Sequence, residues 1–274
     1  MLSPMPATSL LSLIRKNLSN GFEKHYKTQI KIKQSFNQAA QTYDQAAFIQ
    51  SSIADHLLKF LPQSIQAKTI ADFGCGTGFN TRKLLEKIKP EKLFGIDLSE
   101  QSLLLAHQAI SNNFGSQTAL IHQDFNQLIF PENYLDLVFS NMAFQWSLDF
   151  KHTLDLIFTQ LNPQGILLFS MPIQGTFDNI QPTYKNNFYE LLSIQDLLKK
   201  TGFTLLKTSQ HSFSHDFKTA YQALKSIKNT GAQTPLNSNA QKLKKNLCKN
   251  LNYFFTDQPG FLNYQIGFFM AYKK

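Results

Sequence analysis

The stretch Lys68–Asn80, which reads KTIADFGCGTGFN, decides the fold of this chain. Its apolar residues Ile70, Ala71 and Phe73 predict a short buried strand, and a helical pattern follows over Phe79–Ile88. Between them come glycines at every second position, which let the backbone turn sharply and let a ligand approach main-chain N–H groups. The stretch therefore predicts a strand, a glycine-rich loop and a helix, with a ligand bound at the loop.

The spacing of the loop separates the classes of ligand. Gly74, Gly76 and Gly78 follow the pattern G-x-G-x-G, whereas a dinucleotide-binding loop needs G-x-G-x-x-G, and this chain has phenylalanine at its third glycine position. The G-K-S/T ending of a P-loop is absent. Asp72, two positions before the first glycine, suits a ligand that carries an ammonium group beside a carboxylate. S-adenosylmethionine has both groups, so we predict that Asp72, the three glycines and Cys75 bind it. An ordinary strand-to-helix turn is the alternative.

Strands and helices alternate along the rest of the chain, which predicts an α/β protein with a doubly wound, mostly parallel sheet. We expect a Rossmann-like, seven-stranded sheet closed by an antiparallel last strand. The expected strands are Thr69–Phe73, Leu93–Asp97, Ala119–Asp124, Leu135–Asn141, Ile166–Met171, Phe203–Phe217 and Leu262–Tyr272. Between the fourth and fifth strands, Asn162–Gly165 is expected to end a helix and form a turn.

The sequence predicts helical additions at both ends of this sheet. Residues 1–31 have weak patterning and are interpreted as an N-terminal extension, either without fixed structure or a marginal helix. A helical pair over residues 32–62 could lie over the ligand as a lid, and residues 219–256 are expected to form a cap of two helices. The methyltransferase domain itself is expected to cover residues 32–274.

Three successive strands are expected to end on a polar residue. Asp97 closes the second strand and can accept both ribose hydroxyls, with Leu98 beside it. Asp124 closes the third strand and could meet the adenine amino group, while Phe125 could stack on the ring. Asn141 closes the fourth strand, beside the position of a reactive methyl group. Because the carboxyl ends of parallel strands meet at one edge, these residues extend the predicted S-adenosylmethionine site.

The net charge of +9 comes almost wholly from lysine, since Arg15 and Arg82 are the two arginines. This balance permits nucleic acid, an anionic membrane or an acidic protein as partner, or a solvated lysine surface. Methyltransferases that act on base nitrogens typically carry N/D-P-P-Y/F after the fourth strand, where this chain has Ser140–Trp146 without proline. The sequence therefore argues against a nucleic-acid partner, and no apolar run is long enough to span a membrane.

The cysteines and histidines predict no metal site. Cys75 and Cys248 form no metal-binding or redox spacing, so we expect a reducing, cytoplasmic compartment. His211 and His215 are four residues apart in a run expected to be a strand, where their side chains need not converge.

Several blocks together resemble the malonyl-acyl-carrier-protein O-methyltransferases of biotin synthesis, over about Ile32 to Lys273. The glycine loop is common to all class I methyltransferases and does not indicate the substrate. The more specific blocks are Ser35–Asp44 with Gln50, Ser140–Trp146, Gln174–Gly175, Ala223–Ala232 and Leu262–Ile266. The departures are Asn263, where threonine is common, and Lys225, where arginine also occurs; residues 1–30 have no counterpart.

The resemblance implies a reaction. S-adenosylmethionine methylates the free carboxylate of malonyl-acyl carrier protein, or of malonyl-CoA, and is converted to S-adenosylhomocysteine. The malonyl methyl ester then primes the synthesis of the pimeloyl part of biotin. A carboxylate is already ionised at pH 7, so no general base is required. Alternatives are a methyltransferase acting on another small carboxylate or a quinone, a protein that binds S-adenosylmethionine without catalysis, and a nucleic-acid methyltransferase.

Such a reaction depends on orientation in a water-poor pocket. We predict Tyr43 and Trp146 as catalytic residues, and Phe36 and Phe144 as aromatic walls for the substrate. Plain core packing is the alternative for each ring.

Two lysines of the predicted cap, Lys225 and Lys228, lie three residues apart and so share a helix face. They could attract an acidic carrier protein or hold a carboxylate, or they could belong to a solvated face. The expected protein is a monomer.

Overall fold

The structure is a computed structural model that describes residues 7–114, 117–127, 130–182, 186–232 and 251–274. Its strands are β1 (Thr69–Phe73), β2 (Lys92–Asp97), β3 (Thr118–His122), β4 (Leu135–Asn141), β5 (Leu161–Pro172), β6 (Phe203–Asp216) and β7 (Phe261–Lys273). Its helices are α1 (Ala7–Ala46), α2 (Phe48–Leu58), α3 (Phe79–Ile88), α4 (Glu100–Phe114), α5 (Phe150–Gln160), α6 (Leu191–Thr201) and α7 (Ala220–Asn229). Short 3-10 turns cover Phe144–Trp146 and Leu251–Phe254.

The seven strands form one sheet in the order β3-β2-β1-β4-β5-β7-β6. β1 pairs in parallel with β2 and β4, whereas β7 runs antiparallel to both β5 and β6. The predicted fold class, a mostly parallel Rossmann-like sheet with an antiparallel last strand, is confirmed. The order of strands reverses at β1 and β4, so the crevice at the carboxyl ends of these strands is the expected ligand position.

Two apolar clusters cover the two faces of the sheet. Ile70 and Phe268 belong to the cluster on one face, together with residues of α2 and α3. Phe73 and Phe269 belong to the cluster on the other face, together with residues of α5 and α6. Adjacent residues of a strand point to opposite faces of the sheet. Because both faces of the central strands are buried, the sequences of these strands are almost continuously apolar.

The N-terminal helix differs from the prediction. α1 is a single helix over Ala7–Ala46, so the expected division at residue 31 falls inside a regular element. One residue, Ala47, separates it from α2, as the predicted helical pair required. The weak amphipathic pattern of the first part of α1 hid this continuity. The assignment of residues 1–31 as a separate extension remains a prediction.

The turn expected at Asn162–Gly165 is instead a bulge within β5. Leu135 of β4 pairs with Leu161, and Leu137 pairs with Ile166, so four residues of β5 face one residue of β4. Gln164 has a φ of 66°, and the side chain of Asn162 donates a 2.7 Å hydrogen bond to Asp136. The glycine and proline in this segment indicated a break in regular secondary structure, but they do not distinguish a bulge within a strand from a turn.

Two further expectations concern element ends. β3 ends at His122, so Asp124 lies in the turn after the strand rather than at its last residue. The second helix of the cap expected over residues 219–256 falls largely outside the described residues, and near the end of that range the structure has the 3-10 turn Leu251–Phe254. Across the described residues, no helix is both long and apolar enough to cross a membrane.

Candidate active site

The glycine loop joins β1 to α3 at the centre of the sheet. Gly74, Gly76 and Gly78 have φ values of 80°, 57° and 81°, which are left-handed conformations that favour glycine. The N–H groups of Gly74 and Cys75 donate to the carbonyl of Ile96, at 2.8 and 3.0 Å. These bonds fix the loop to β2, the neighbouring strand.

The need for glycine differs between positions of the loop. A Cβ atom at Gly74 would lie 2.3 Å from Cβ of Ala143, which follows β4. A Cβ atom at Gly76 would meet no atom within 4 Å, so the backbone there faces open space. Gly74 therefore permits close packing within the protein, and Gly76 leaves room for a ligand against the main chain.

Two buried carboxylates flank this loop. Asp72 is 2% exposed and accepts a 2.6 Å hydrogen bond from Oγ1 of Thr81. Burial raises the pKa of Asp72 to about 7, and the charge of Asp97 adds to the rise, while the bond from Thr81 acts against it. A carboxylate that is costly to ionise in this environment is stabilised by a bound cation.

Asp97 holds the backbone of the site in place. Its Oδ2 accepts a 2.9 Å hydrogen bond from the N–H of Gly76, and its Oδ1 accepts a 2.7 Å bond from the N–H of Ser99. Burial raises the pKa of Asp97, and these two backbone bonds oppose the rise. Asp97 therefore joins the glycine loop to the start of α4, in addition to the ribose contact predicted for it.

A cavity of about 250 Å³ lies on one side of the loop. Tyr43, Asp72, Gly76, Asn80 and Asn141 are among the residues that line it. Among its described lining residues the charged side chains are two carboxylates, so this first cavity suits a positively charged group.

A second cavity lies on the other side of the loop and shares Tyr43 and Asn141 with the first. Asp97, Leu98, Asp124, Phe125 and Trp146 line this second cavity, together with the glycine loop. The pair of cavities thus forms one continuous region along the strand ends. Each cavity has two carboxylates among its described lining residues, and aromatic side chains line both.

Helix α1 covers this region. It contributes Gln29, Ile32, Phe36 and Tyr43 to the wall of the second cavity. Their spacings of three, four and seven residues place them on one helix face.

Three polar side chains of α1 bind the turns that follow three adjacent strands. Gln29 donates to the carboxylate of Asp124 after β3. Asn37 accepts a 2.8 Å bond from the hydroxyl of Ser99 after β2, and Asp44 accepts a 2.5 Å bond from the hydroxyl of Thr77 after β1. The sequence analysis missed Gln29, Asn37 and Asp44 as site residues, because contacts across 33 to 95 positions of sequence leave no local pattern.

The comparisons with known proteins agree with this arrangement. A family model described as "Methyltransferase domain" matches residues 70–165, which run from β1 into β5. A curated relative from Coxiella burnetii, named malonyl-acyl-carrier-protein O-methyltransferase 2, is 40% identical over 244 residues, covering 89% of this chain and 96% of the relative.

The chain belongs to the malonyl-acyl-carrier-protein O-methyltransferase family.

Other relatives are more distant. A malonyl-acyl-carrier-protein O-methyltransferase from Priestia megaterium is 29% identical, covering 81% of this chain and 86% of the relative. Among solved structures, the N-methyltransferase NodS from Bradyrhizobium japonicum in complex with S-adenosylhomocysteine has a TM-score of 0.52 at 14% identity, covering 81% of this chain and 86% of that chain. A methyltransferase structure from Bacillus halodurans has a TM-score of 0.59 at 14% identity, covering 81% of this chain and 99% of that chain. At these identities the structures share the fold.

The enzyme is a methyltransferase, and the predicted cofactor, S-adenosylmethionine, is confirmed. The residues present fit this cofactor, since the open space at Gly76 leaves room along the backbone and the acidic first cavity suits its ammonium group.

The structure brings most of the predicted cofactor residues of this methyltransferase together. The two cavities are lined by Asp72, Gly74, Cys75, Gly76, Asp97, Leu98, Asp124, Phe125 and Asn141. Gly78 instead packs below the loop, where a Cβ atom would lie 3.0 Å from Ala106. The thiol of Cys75 is buried as well, and burial raises its pKa. Their roles toward the cofactor remain predictions.

Among the predicted substrate residues the outcome is divided. Tyr43, Trp146 and Phe36 line the second cavity, with the rings of Phe36 and Trp146 edge to face at 5.4 Å. Phe144 is 1% exposed and packs against other rings of the core, among them Phe169 at 5.3 Å. Phe144 lines neither cavity, so the structure places it behind the site rather than at a substrate wall.

Lys225 and Lys228 are exposed on α7 and line neither cavity. The ammonium group of Lys225 lies 5.7 Å from the ring centre of Tyr221 on the same helix. The block of sequence that contains them still reaches the site through Gly231, since a Cβ atom there would lie 2.7 Å from the ring of Phe36.

The histidines do not form a metal site in the described part of the chain, where no three His, Cys, Asp or Glu side chains cluster. The ring of His211 lies 4.1 Å from that of His56, whereas His215 packs on Phe48 and Phe217. As expected for a strand, His211 and His215 do not converge.

If Asp72 binds the ammonium group of the cofactor as predicted, its raised pKa should make binding sensitive to pH. The ionised carboxylate attracts the ammonium group and the protonated form does not, so affinity for S-adenosylmethionine should rise as pH increases from 6 to 8, through the pKa of about 7. Calorimetry across this range should show binding accompanied by proton release near pH 7. In an Asp72→Asn variant the affinity should be lower and this part of the pH dependence absent. An unchanged slope in the variant would mean that another group titrates.

Proposed function

We propose that this enzyme transfers the methyl group of S-adenosylmethionine to the free carboxylate of malonyl-acyl carrier protein, or of malonyl-CoA. The resulting malonyl methyl ester primes the synthesis of the pimeloyl part of biotin. The observation that carries the proposal is the 40% identity, over nearly the whole chain, to a relative named for this reaction. The aromatic side chains of Phe36, Tyr43 and Trp146 support it, because they line the second cavity together with cofactor residues and offer apolar surface beside the bound cofactor.

The chemistry needs positioning more than proton transfer. The acceptor is a carboxylate, which is ionised at neutral pH and needs no general base. The cofactor supplies a sulfonium-bound methyl group. The protein therefore has to align the two partners and exclude water, and alignment of this kind is worth roughly 7–11 kcal/mol in favourable cases.

Tyr43 is the best-placed side chain for holding the acceptor. It lines both cavities together with Asn141, the residue predicted to lie beside the reactive methyl group, so we place the acceptor next to it. Burial raises the pKa of Tyr43 well above its usual value, and the charges of Asp97 and Asp44 raise it further. Its hydroxyl therefore stays protonated at physiological pH and serves as a hydrogen-bond donor to an anion.

Tyr264 of β7 is a second buried tyrosine, which the sequence analysis did not select as a site residue. It is buried, its ring lies 4.6 Å from that of Phe177, and burial raises its pKa, with the charge of Tyr43 adding to the rise. Tyr264 is not among the described residues that line either cavity, so we assign the malonyl carboxylate to Tyr43, with Phe36 and Trp146 as walls.

The expected partner is an acidic acyl carrier protein. The net charge of +9 would attract it over a distance, and the exposed Lys225 and Lys228 offer a positive surface on the cap. We also propose that the enzyme acts as a monomer. Cys75 is buried and forms no disulfide, which suits a reducing compartment such as the cytoplasm.

The decisive experiment is a methyl-transfer assay with purified protein and labelled S-adenosylmethionine. We expect malonyl-acyl carrier protein or malonyl-CoA to yield a methyl ester that mass spectrometry identifies. Acetyl-CoA, which lacks the free carboxylate, should yield none, and succinyl-CoA tests the length of the acceptor. If the protein binds the cofactor but methylates succinyl-CoA in preference to both malonyl thioesters, the substrate is a different carboxylate.

A further inference from the structure

A seam between α2 and β6 leads away from the first cavity. Phe48, the first residue of α2, lines that cavity and is 42% exposed, so it lies where the cavity meets solvent. Its ring lies 4.7 Å from that of His215 on β6. Farther along α2, the ring of His56 lies 4.1 Å from that of His211 on the same strand. The seam, defined by these two pairs of rings, therefore runs from the mouth of the cavity to His56.

The far end of the seam is basic. Lys59 follows the last residue of α2, and Lys207 precedes His211 by four residues on β6. The ammonium group of Lys207 lies 4.2 Å from the ring centre of Phe60, and the ring of His56 lies 6.0 Å from that ring. In the described part of the chain neither lysine has a carboxylate within salt-bridge distance. We call His56, His211, Lys59 and Lys207 the basic end of the seam.

The environment of His56 shows that this positive charge is not compensated. Burial lowers the pKa of His56, and the positive charges of His211, Lys59 and Lys207 lower it further. Among the described residues, the charged neighbours that shift this pKa are all basic. Basic groups that repel one another are stabilised by a bound anion. Lysine and histidine also donate hydrogen bonds, so the basic end suits a phosphate group.

The length of the seam matches one part of the proposed substrates. Malonyl-acyl carrier protein and malonyl-CoA both carry the malonyl group as a thioester on a phosphopantetheine arm. Between its sulfur and its phosphorus this arm is slightly longer than four residues of extended backbone, which span roughly 13–14 Å. Phe48 and His56 are eight residues apart on one helix, which corresponds to roughly 12 Å. An arm with its thioester at the cavity mouth would therefore bring its phosphate close to His56.

We propose that the basic end of the seam binds the phosphate of the phosphopantetheine arm, and that the arm enters the first cavity past Phe48. Tyr43, to which the malonyl carboxylate is assigned, lines the same cavity as Phe48. The seam would then select substrates by the length and charge of the arm, separately from the recognition of the malonyl group. This inference rests on the proposed function, since it requires a malonyl thioester as the methyl acceptor.

The test compares two small substrates that differ only in the phosphate, malonyl-4′-phosphopantetheine and malonyl-pantetheine. For the wild-type enzyme we expect kcat/KM to be about tenfold or more higher with the phosphate, which is the effect of a hydrogen bond between charged groups. In the double variant His211→Gln with Lys207→Met, this ratio should fall to about one through a higher KM for the phosphorylated substrate. Methionine keeps the apolar stem of Lys207 on the ring of Phe60. For malonyl-pantetheine, kcat/KM should stay within about twofold of wild type.

The matched control is the double variant His152→Gln with Lys200→Met. It makes the same two changes at exposed positions of α5 and α6. These helices pack on the opposite face of the sheet, so the control has the same net charge as the test variant and an intact seam. It should keep the wild-type ratio between the two small substrates.

The two natural forms of the arm distinguish the phosphate from other contacts. Because both substrates carry the arm, His211→Gln with Lys207→Met should lower kcat/KM for malonyl-CoA and for malonyl-acyl carrier protein alike. A loss confined to malonyl-acyl carrier protein would mean that the basic end contacts acidic side chains of the carrier protein, and it would overturn the assignment to the phosphate.

Three results with the small substrates would also overturn the proposal. Equal kcat/KM values in the wild-type enzyme would show that the phosphate is not bound. A wild-type ratio that survives in the test variant would place the phosphate elsewhere, and an equal loss for both substrates would give the seam a structural role. In all three cases methyl transfer to a malonyl thioester is still observed. Failure to methylate either substrate would instead refute the proposed function, and the inference with it.

Discussion

Replacing Gly74 with alanine should destabilise the protein strongly. The new Cβ atom would lie 2.3 Å from Cβ of Ala143, and the backbone at Gly74 has a φ of 80°, which is unfavourable for alanine. The left-handed conformation costs roughly 1–2 kcal/mol and the overpacking about as much again or more. We expect the melting temperature of Gly74→Ala to fall by roughly 10 °C, measured by circular dichroism.

Two matched variants separate the causes of this loss. Gly76→Ala introduces the same side chain at a φ of 57°, but with no atom within 4 Å, so it should lose only the conformational part of the stability. Its methyl group would enter the open space beside the loop, so cofactor affinity should fall although the protein folds. In Gly74→Ala, a second change of Ala143→Gly removes the clashing atom and should restore part of the stability. Equal losses for Gly74→Ala and Gly76→Ala would contradict the packing argument.

Replacing Tyr43 with phenylalanine should separate catalysis from cofactor binding. The change removes one donor hydroxyl and keeps the ring that lines both cavities. Loss of a well-placed donor to a reacting oxygen typically lowers kcat by about 100-fold, and we expect a decrease of this order for methyl transfer to a malonyl thioester. Affinity for S-adenosylhomocysteine, measured by calorimetry, should change by less than about threefold, because the ring packing is preserved.

The control for Tyr43→Phe is the same substitution at an exposed tyrosine. Tyr221 lies on the outer surface of α7 and is 58% exposed, so Tyr221→Phe should leave both turnover and cofactor affinity unchanged. If Tyr43→Phe turns over at the wild-type rate, the hydroxyl has no part in the reaction and the residue serves as packing.

The sheet and the centre of the site could be predicted from the sequence because their signals are local. An apolar strand, the alternating glycines and the acidic ends of strands lie within a few residues of each other, and the parallel topology brings Asp72, Asp97 and Asn141 to one edge. These features follow from backbone geometry, which short patterns encode well.

The remaining features depend on contacts that sequence spacing does not encode. Periodicity identifies an aromatic residue near the site but not its depth, so Phe144 was expected as a substrate wall although it lies in the core, whereas Trp146 does line the second cavity. The bond between Gln29 and Asp124 spans 95 positions, and it depends on the path of α1 across the sheet. Lys225 and Lys228 were placed near the substrate by their block of sequence, whereas Gly231 of that block makes the close contact with Phe36.

The course of α1 over the strand ends has a kinetic consequence. Gln29, Asn37 and Asp44 hold α1 on the turns beside the cavities, so breaking these three attachments should change how fast a bound ligand exchanges with solvent. Changes in α1 could then alter the residence time of the bound cofactor without altering its affinity. Selection acting on the first helix could change how long the spent cofactor persists between turnovers, while every residue that recognises the cofactor stays the same.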